Sequence, residues 1–137
     1  MRNIVQKQLC RIFDANINRA KEGLRVCEDI CRFIEDNEKL TQAYKKARHQ
    51  LTTIVSQLPK NLVLESRSVE KDIGRKTSLT ERKRKNVDDI FDANSQRVKE
   101  SIRVLEEFAK LVSPRISDSL KKLRYEIYQL EQKRLLH

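Results

Sequence analysis

The chain has no tryptophan, two glycines, two prolines, three cysteines and two histidines in 137 residues, and its longest apolar run is the three residues 62 to 64. Runs that short exclude a membrane-spanning helix and a signal-peptide core, so the protein is expected in the cytoplasm, away from membranes. Aromatics make up only 5%, which leaves few rings for bases to stack on and argues against a single-strand nucleic-acid binder. Gly23 and Gly74 stand far apart, so there is no glycine-rich phosphate loop; phosphates would be held by Arg and Lys side chains and by helix N-termini. Cys10, Cys27 and Cys31 are odd in number, and the last two sit four apart on a helical pattern. With no second ligand cluster beside them they read as reduced core thiols rather than a redox or metal site.

What the chain does have is charge. Thirty Lys and Arg against twenty Asp and Glu give a net charge of +10, which suggests an anionic partner: a phosphorylated metabolite, nucleic acid or an acidic protein surface. With 36% charged and 38% hydrophobic residues, there is enough apolar material for helices with one buried stripe and too little for sheets covered on both faces. The expected class is all-α, in a single domain over 1–137.

Pro59 and Pro114 divide the sequence into helical blocks. The apolar spacing predicts helices over 3–36, 38–57, 80–112 and 115–135, with Thr77, Ser78 or Thr80 as N-cap of the third. Residues 12–29, IFDANINRAKEGLRVCED, recur at 90–107 as IFDANSQRVKESIRVLEE, and 40–51, LTQAYKKARHQL, align with 116–127, ISDSLKKLRYEI, after a two-residue deletion. The repeated unit is thus a hairpin, repeat A over 3–57 and repeat B over 80–135, and two such units pack most simply as a pseudo-symmetric four-helix bundle. Between them 59–79 shows no helical period and reads as an ordered strap across the bundle.

The repeat keeps polar residues, which core packing alone does not require. At about 100° per residue Asn16 falls inside the apolar face, Arg19 lies at its edge, and Asn94 and Arg97 repeat this. Either each Asn bonds its counterpart or a buried carbonyl and fixes register, or the hairpins face each other across a cavity. The second alternative makes Asn16, Arg19, Glu22, Asn94, Arg97 and Glu100 the candidate catalytic residues: Arg forks suit phosphate oxygens, and a carboxylate suits a magnesium ion or orients an Arg. Arg25 and Arg103 lie on the polar side with Glu28 and Glu106 three residues on, the spacing of surface pairs. They gain interest if the strap brings Arg67 and Asp72 onto that face.

Together, DANINRAKEGLRVCEDICRF, SRSVEKDIGRK and ANSQRVKESIRVLEEFAKL resemble the helical hydroxymethylpyrimidine phosphate kinase family of thiamin biosynthesis, a family often met ahead of thiamine-phosphate synthase. The resemblance covers nearly the whole chain. It implies ATP-dependent phosphorylation of 4-amino-5-hydroxymethyl-2-methylpyrimidine phosphate to the diphosphate, with ATP and Mg2+ as cofactors. Residue by residue, its pattern falls on Asp14, Asn16, Arg19, Glu22, Arg25 and Glu28, on Arg67, Asp72 and Gly74 in the strap, and on Asn94, Arg97, Glu100, Arg103 and Glu106. Of these, Asp14, Arg25, Arg67, Asp72, Gly74 and Arg103 are expected to bind the substrate or its phosphates, and the metal ligands are left unassigned. No barrel domain follows Leu135, Leu136 and His137, so synthase activity is not expected of this polypeptide, and the strap is more basic than the family's usual loop.

Phosphoryl transfer asks for positioned phosphates and neutralised charge more than for covalent chemistry. An acceptor that is already a phosphate monoester brings its own anionic oxygen and needs no strong base, which suits a chain whose His49 aligns with Tyr125 and whose His137 is terminal. Two other classes stay open: a basic helical nucleic-acid binder, and a noncatalytic partner of a separate thiamine-phosphate synthase. Self-association is open as well.

Overall fold

A computed structural model describes residues 2–62 and 83–136. Among them there is no strand. Helix α1, Arg2–Asp29, runs into a π-helical turn, Ile30–Ile34. Helix α2 is Glu38–Val55, a 3-10 turn follows at Lys60–Leu62, and α3, Val87–Ala109, and α4, Pro114–Leu135, form the second hairpin.

The helix starts follow from capping chemistry. Asn37 Oδ1 accepts the Leu40 N–H at 3.0 Å and opens α2; Ser113 Oγ accepts the Ile116 N–H at 3.4 Å and opens α4, with Pro114 in the first turn. These two caps occupy matching positions of the repeat. The third helix starts at 87, not near 80. Asn86 caps it by accepting the Asp89 N–H at 2.9 Å, and the Asp89 carboxylate accepts the Lys85 N–H in return. The cations Lys83, Arg84 and Lys85 would oppose the dipole of a helix begun at 80, whereas Asp88 and Asp89 in the observed first turn match it. Thr77, Ser78 and Thr80 lie outside the described residues.

Helix α1 packs on α2 and α3, and α4 packs on the same two. The four helices therefore form a ring, α1–α2–α4–α3, that is unchanged when the hairpins exchange places. Phe13, Leu24, Tyr44, Leu51, Ile102 and Ile127 are fully buried in one core, where Tyr44 meets Phe91 edge-on at 5.9 Å between ring centres. The α1–α3 crossing is close because of Gly23. A Cβ there would lie 2.6 Å from Val98 Cγ2 and 2.9 Å from the Asn94 carbonyl oxygen. Cys27 lies against the Phe91 carbonyl, so the two helices run antiparallel. No described helix is long and apolar enough to cross a membrane.

The expectation of an all-α bundle holds, and the repeat survives in its contacts: Asn16 Nδ2 donates to Ile12 O at 2.9 Å, and Asn94 Nδ2 donates to Ile90 O at 2.8 Å. The hairpin turns differ. The two residues that repeat A has in excess fall where α1 widens into the π turn and Asp36 adopts a left-handed φ of 51°. A π turn takes in one more residue than an α turn, and an αL residue reverses the chain. Repeat B closes instead with tight turns from Lys110 to Ser113.

Candidate functional site

The two asparagines resolve one question raised by the sequence. Asn16 is 6% exposed, Asn94 is half-buried, and each bonds the carbonyl four residues back on its own helix rather than its counterpart. An amide can sit at an apolar seam at little cost once its donor is satisfied this way.

Arg19, Glu22, Arg97 and Glu100 are exposed. They flank the α1–α3 crossing on its outer side, beside half-buried Ala15, Val26, Ala93 and Val104. Since Gly23 meets Asn94 and Val98, and Cys27 meets Phe91, the antiparallel register sets Arg19 level with Glu100 and Glu22 level with Arg97. The structure thus gathers the four charged candidates on one face, two cations and two carboxylates in a twofold pattern, with Asn16 and Asn94 in the seam beneath. Asp14 is half-buried and accepts a 3.4 Å bond from Asn18 Nδ2. Arg67, Asp72 and Gly74 lie outside the described residues.

The other repeated pair differs from its sequence reading. Arg25 and Arg103 are exposed as expected, and they reach Glu28 and Glu106 at 3.7 and 3.4 Å. The carboxylates, however, are buried, 2% and 4% exposed, and are not surface groups. Each is held by an Arg from the neighbouring helix: Arg48 Nε donates to Glu28 at 3.1 Å, and Arg124 donates to Glu106 through Nε at 2.8 Å and Nη2 at 3.4 Å. The hydrogen bonds to Glu106 push the Arg124 guanidinium above its ordinary value. Arg48 and Arg124 are matching residues of the repeat, paired when 40–51 is aligned with 116–127. The available signal was an Arg recurring at nearly the same distance, 20 and 18 residues, from a recurring Glu. A lone buried carboxylate is costly, so a partner was to be sought.

Two cavities adjoin this framework. One of about 390 Å3 opens beside Glu28 and is walled by Arg32, Asp36, Glu38, Thr41 and Lys45. The other, about 560 Å3, lies between α2 and α4. They share Gln42 and Lys45. Neither is lined by the six candidate catalytic residues.

The cysteines are free and buried. Burial pushes the Cys27 thiol from 9.0 up to about 12 and Cys31 up to about 11, so both stay protonated and unreactive at neutral pH. Among the described residues no group of three His, Cys, Asp or Glu is placed to hold a metal ion.

Comparison with known proteins places this architecture. A family model described as the ThiD2 family matches residues 11–133. The chain is 38% identical over 136 residues to a thiamine-phosphate synthase of Nostoc punctiforme, covering 97% of this chain and 37% of that protein. It is 39% identical to one from Synechocystis sp., covering 90% and 35%, and 31% identical to one from Rhodopirellula baltica, covering 93% and 34%. The chain thus spans about a third of the length of the curated relatives it matches. No solved structure matches it significantly.

Proposed function

Because the chain belongs to the ThiD2 family of thiamine biosynthesis, we propose that it phosphorylates 4-amino-5-hydroxymethyl-2-methylpyrimidine phosphate to the diphosphate with ATP. The observation that supports this reading is the gathering of Arg19, Glu22, Arg97 and Glu100 on one face inside the matched region. Two guanidiniums there have the fork geometry that suits phosphate oxygens. In the proposed step an oxygen of the acceptor's monoester phosphate attacks the γ-phosphorus of ATP, the bond to the β-phosphate oxygen breaks, and ADP leaves. The acceptor oxygen is already anionic near neutral pH, so no protein base is required. The task of the face is to align two anions and spread the charge that accumulates between them.

Magnesium takes few protein carboxylates and keeps phosphate and water as its other ligands. Glu22 and Glu100 fit that demand and would hold it beside the phosphates, where it would neutralise charge. The test is direct. Purified protein incubated with ATP, magnesium and the pyrimidine monophosphate should release ADP and form the diphosphate in equal amounts. Absence of the diphosphate refutes the kinase reading.

The length of the relatives supports a second reading, in which this helical unit serves a thiamine-phosphate synthase without catalysing a step itself. It predicts no diphosphate from the isolated chain and saturable binding to a separately prepared synthase.

A further inference from the structure

The two ends of the bundle are finished differently. At the end where α2 stops, the 3-10 turn that follows packs on α1, and Leu58 and Leu62 are buried. At the end where α2 starts, Arg134 of α4 bonds Glu35 at 2.7 Å and Asp88 at 2.8 Å, which draws the π turn, the start of α3 and the last turn of α4 together. Among the described residues nothing covers this second end. Phe33, Ile34, Leu135 and Leu136, all within two residues of the bridge, are between 59% and 84% exposed. One exposed apolar side chain is ordinary, but four gathered at one place mark a contact surface.

The path of the chain creates part of this exposure. Cys27, Ile30 and Cys31 are buried at helical spacing, and an unbroken α-helix would carry Ile34 onto the same stripe. The π turn carries it outward instead, whereas the matching Val112 of the second hairpin is half-buried. Such turns recur at functional sites.

The charge around the patch indicates what covers it. Exposed Arg32, Lys83 and Lys133 share the rim with exposed Asp36, Glu38 and Asp88. With both signs at one end, an identical end turned about a twofold axis can set cations against carboxylates and apolar patch against apolar patch. A rim of one sign would ask for a different partner. Residues 32–38, 83–89 and 132–136 together approach the ~20–30 residues that a standard interface takes from each side.

We propose that this end is the interface of a symmetric homodimer, in which Phe33, Ile34, Leu135 and Leu136 of the two copies meet across the axis. The contact is end to end and leaves the α1–α3 face open, so the inference stands apart from the kinase reading.

Sedimentation velocity of the full chain from low micromolar to near-millimolar concentration tests it. A monomer–dimer equilibrium is expected, and on dilution amide NMR shifts should move at 32–38, 83–89 and 132–136. Phe33→Asp with Leu136→Asp should weaken dimerisation at least tenfold, and Leu111→Asp, exposed at the opposite end, should leave it unchanged. Helical circular dichroism and melting check that each variant is folded, and Phe33→Ser with Leu136→Ser replaces the double variant if it is not. The proposal is overturned if the chain stays monomeric throughout, or if the shifts move elsewhere. It is equally overturned if a folded double variant dimerises as tightly as the parent, or if Leu111→Asp weakens dimerisation as much. Saturable binding of a separately prepared thiamine-phosphate synthase to a monomeric chain, lost in the double variant, would give this end to that partner and overturn the second copy as its occupant.

Discussion

The two hairpins carry the same buried carboxylate and do not treat it alike. In the second, Arg124 grips Glu106 with two hydrogen bonds, and Ser117 donates to the Glu106 carbonyl at 2.8 Å. In the first, Arg48 makes one bond to Glu28, and Thr41, which matches Ser117, donates to Asn37 O at 2.7 Å instead. The π turn and the left-handed Asp36 widen the first hairpin at its end, and the 390 Å3 cavity opens there beside Glu28. Two residues in a turn thus accompany a cavity beside one of two otherwise matching ion pairs.

Breaking each pair in turn gives the largest expected effect. Arg124→Ala leaves buried Glu106 only the exposed Arg103 at 3.4 Å and should cost about 3–5 kcal/mol of unfolding free energy in denaturant titrations. Arg48→Ala should cost less, since Glu28 loses one hydrogen bond where Glu106 loses two. Equal losses would show that the hairpins are energetically the same despite their turns.

Next is the outer face of α1 and α3. In a kinase assay Arg97→Ala and Arg19→Ala should each lower turnover well over tenfold, on the order of 2–3 kcal/mol in the barrier, with the melting temperature unchanged. Lys83→Ala, outside the motifs 12–29 and 90–107, should retain full turnover. If one Arg variant loses activity and the other keeps it, the twofold pattern is architectural and only one copy serves the chemistry.

Gly23 and its counterpart Ser101 give a third contrast. Gly23→Ala drives a methyl against Val98 and the Asn94 carbonyl and should cost about 1–3 kcal/mol, whereas Ser101→Ala at the matching buried position should change stability by less than about 1 kcal/mol.

The smallest effect at neutral pH belongs to the thiols of the first hairpin, which the second lacks. Burial raises Cys27 from 9.0 to about 12, so the folded state prefers the neutral thiol. Its contribution is fully present below pH 9, where both states hold the proton, and is lost as pH rises from 9 towards 12, where only the unfolded chain releases it. Stability measured across that window should fall, and Cys27→Ala should flatten part of the fall. An unchanged slope would place the alkaline transition elsewhere.

Much of this molecule was legible in its sequence. Helical periodicity, two breaking prolines and a repeated hairpin specified an all-α bundle of two halves, because each is a local property of spacing or turn chemistry. The start of α3 was misplaced because the residues near 80 offered plausible caps while the charge run at 83–85 argued against them. The π turn also escaped notice, since nothing in the apolar pattern of 30–34 distinguishes it from a continuing helix.

The sequence by itself determined which polar residues are kept twice, and therefore where to look. Only the tertiary structure decided what each does. It sends Asn16 and Asn94 back onto their own helices, leaves Arg19 and Arg97 exposed on a shared face, and buries Glu28 and Glu106 against Arg48 and Arg124. The helical wheel fixes an angle on one cylinder. Whether that angle meets solvent, an apolar seam or an Arg 20 residues away depends on how neighbouring helices cross, and at the α1–α3 seam that close approach depends on a glycine with no side chain to hold them apart.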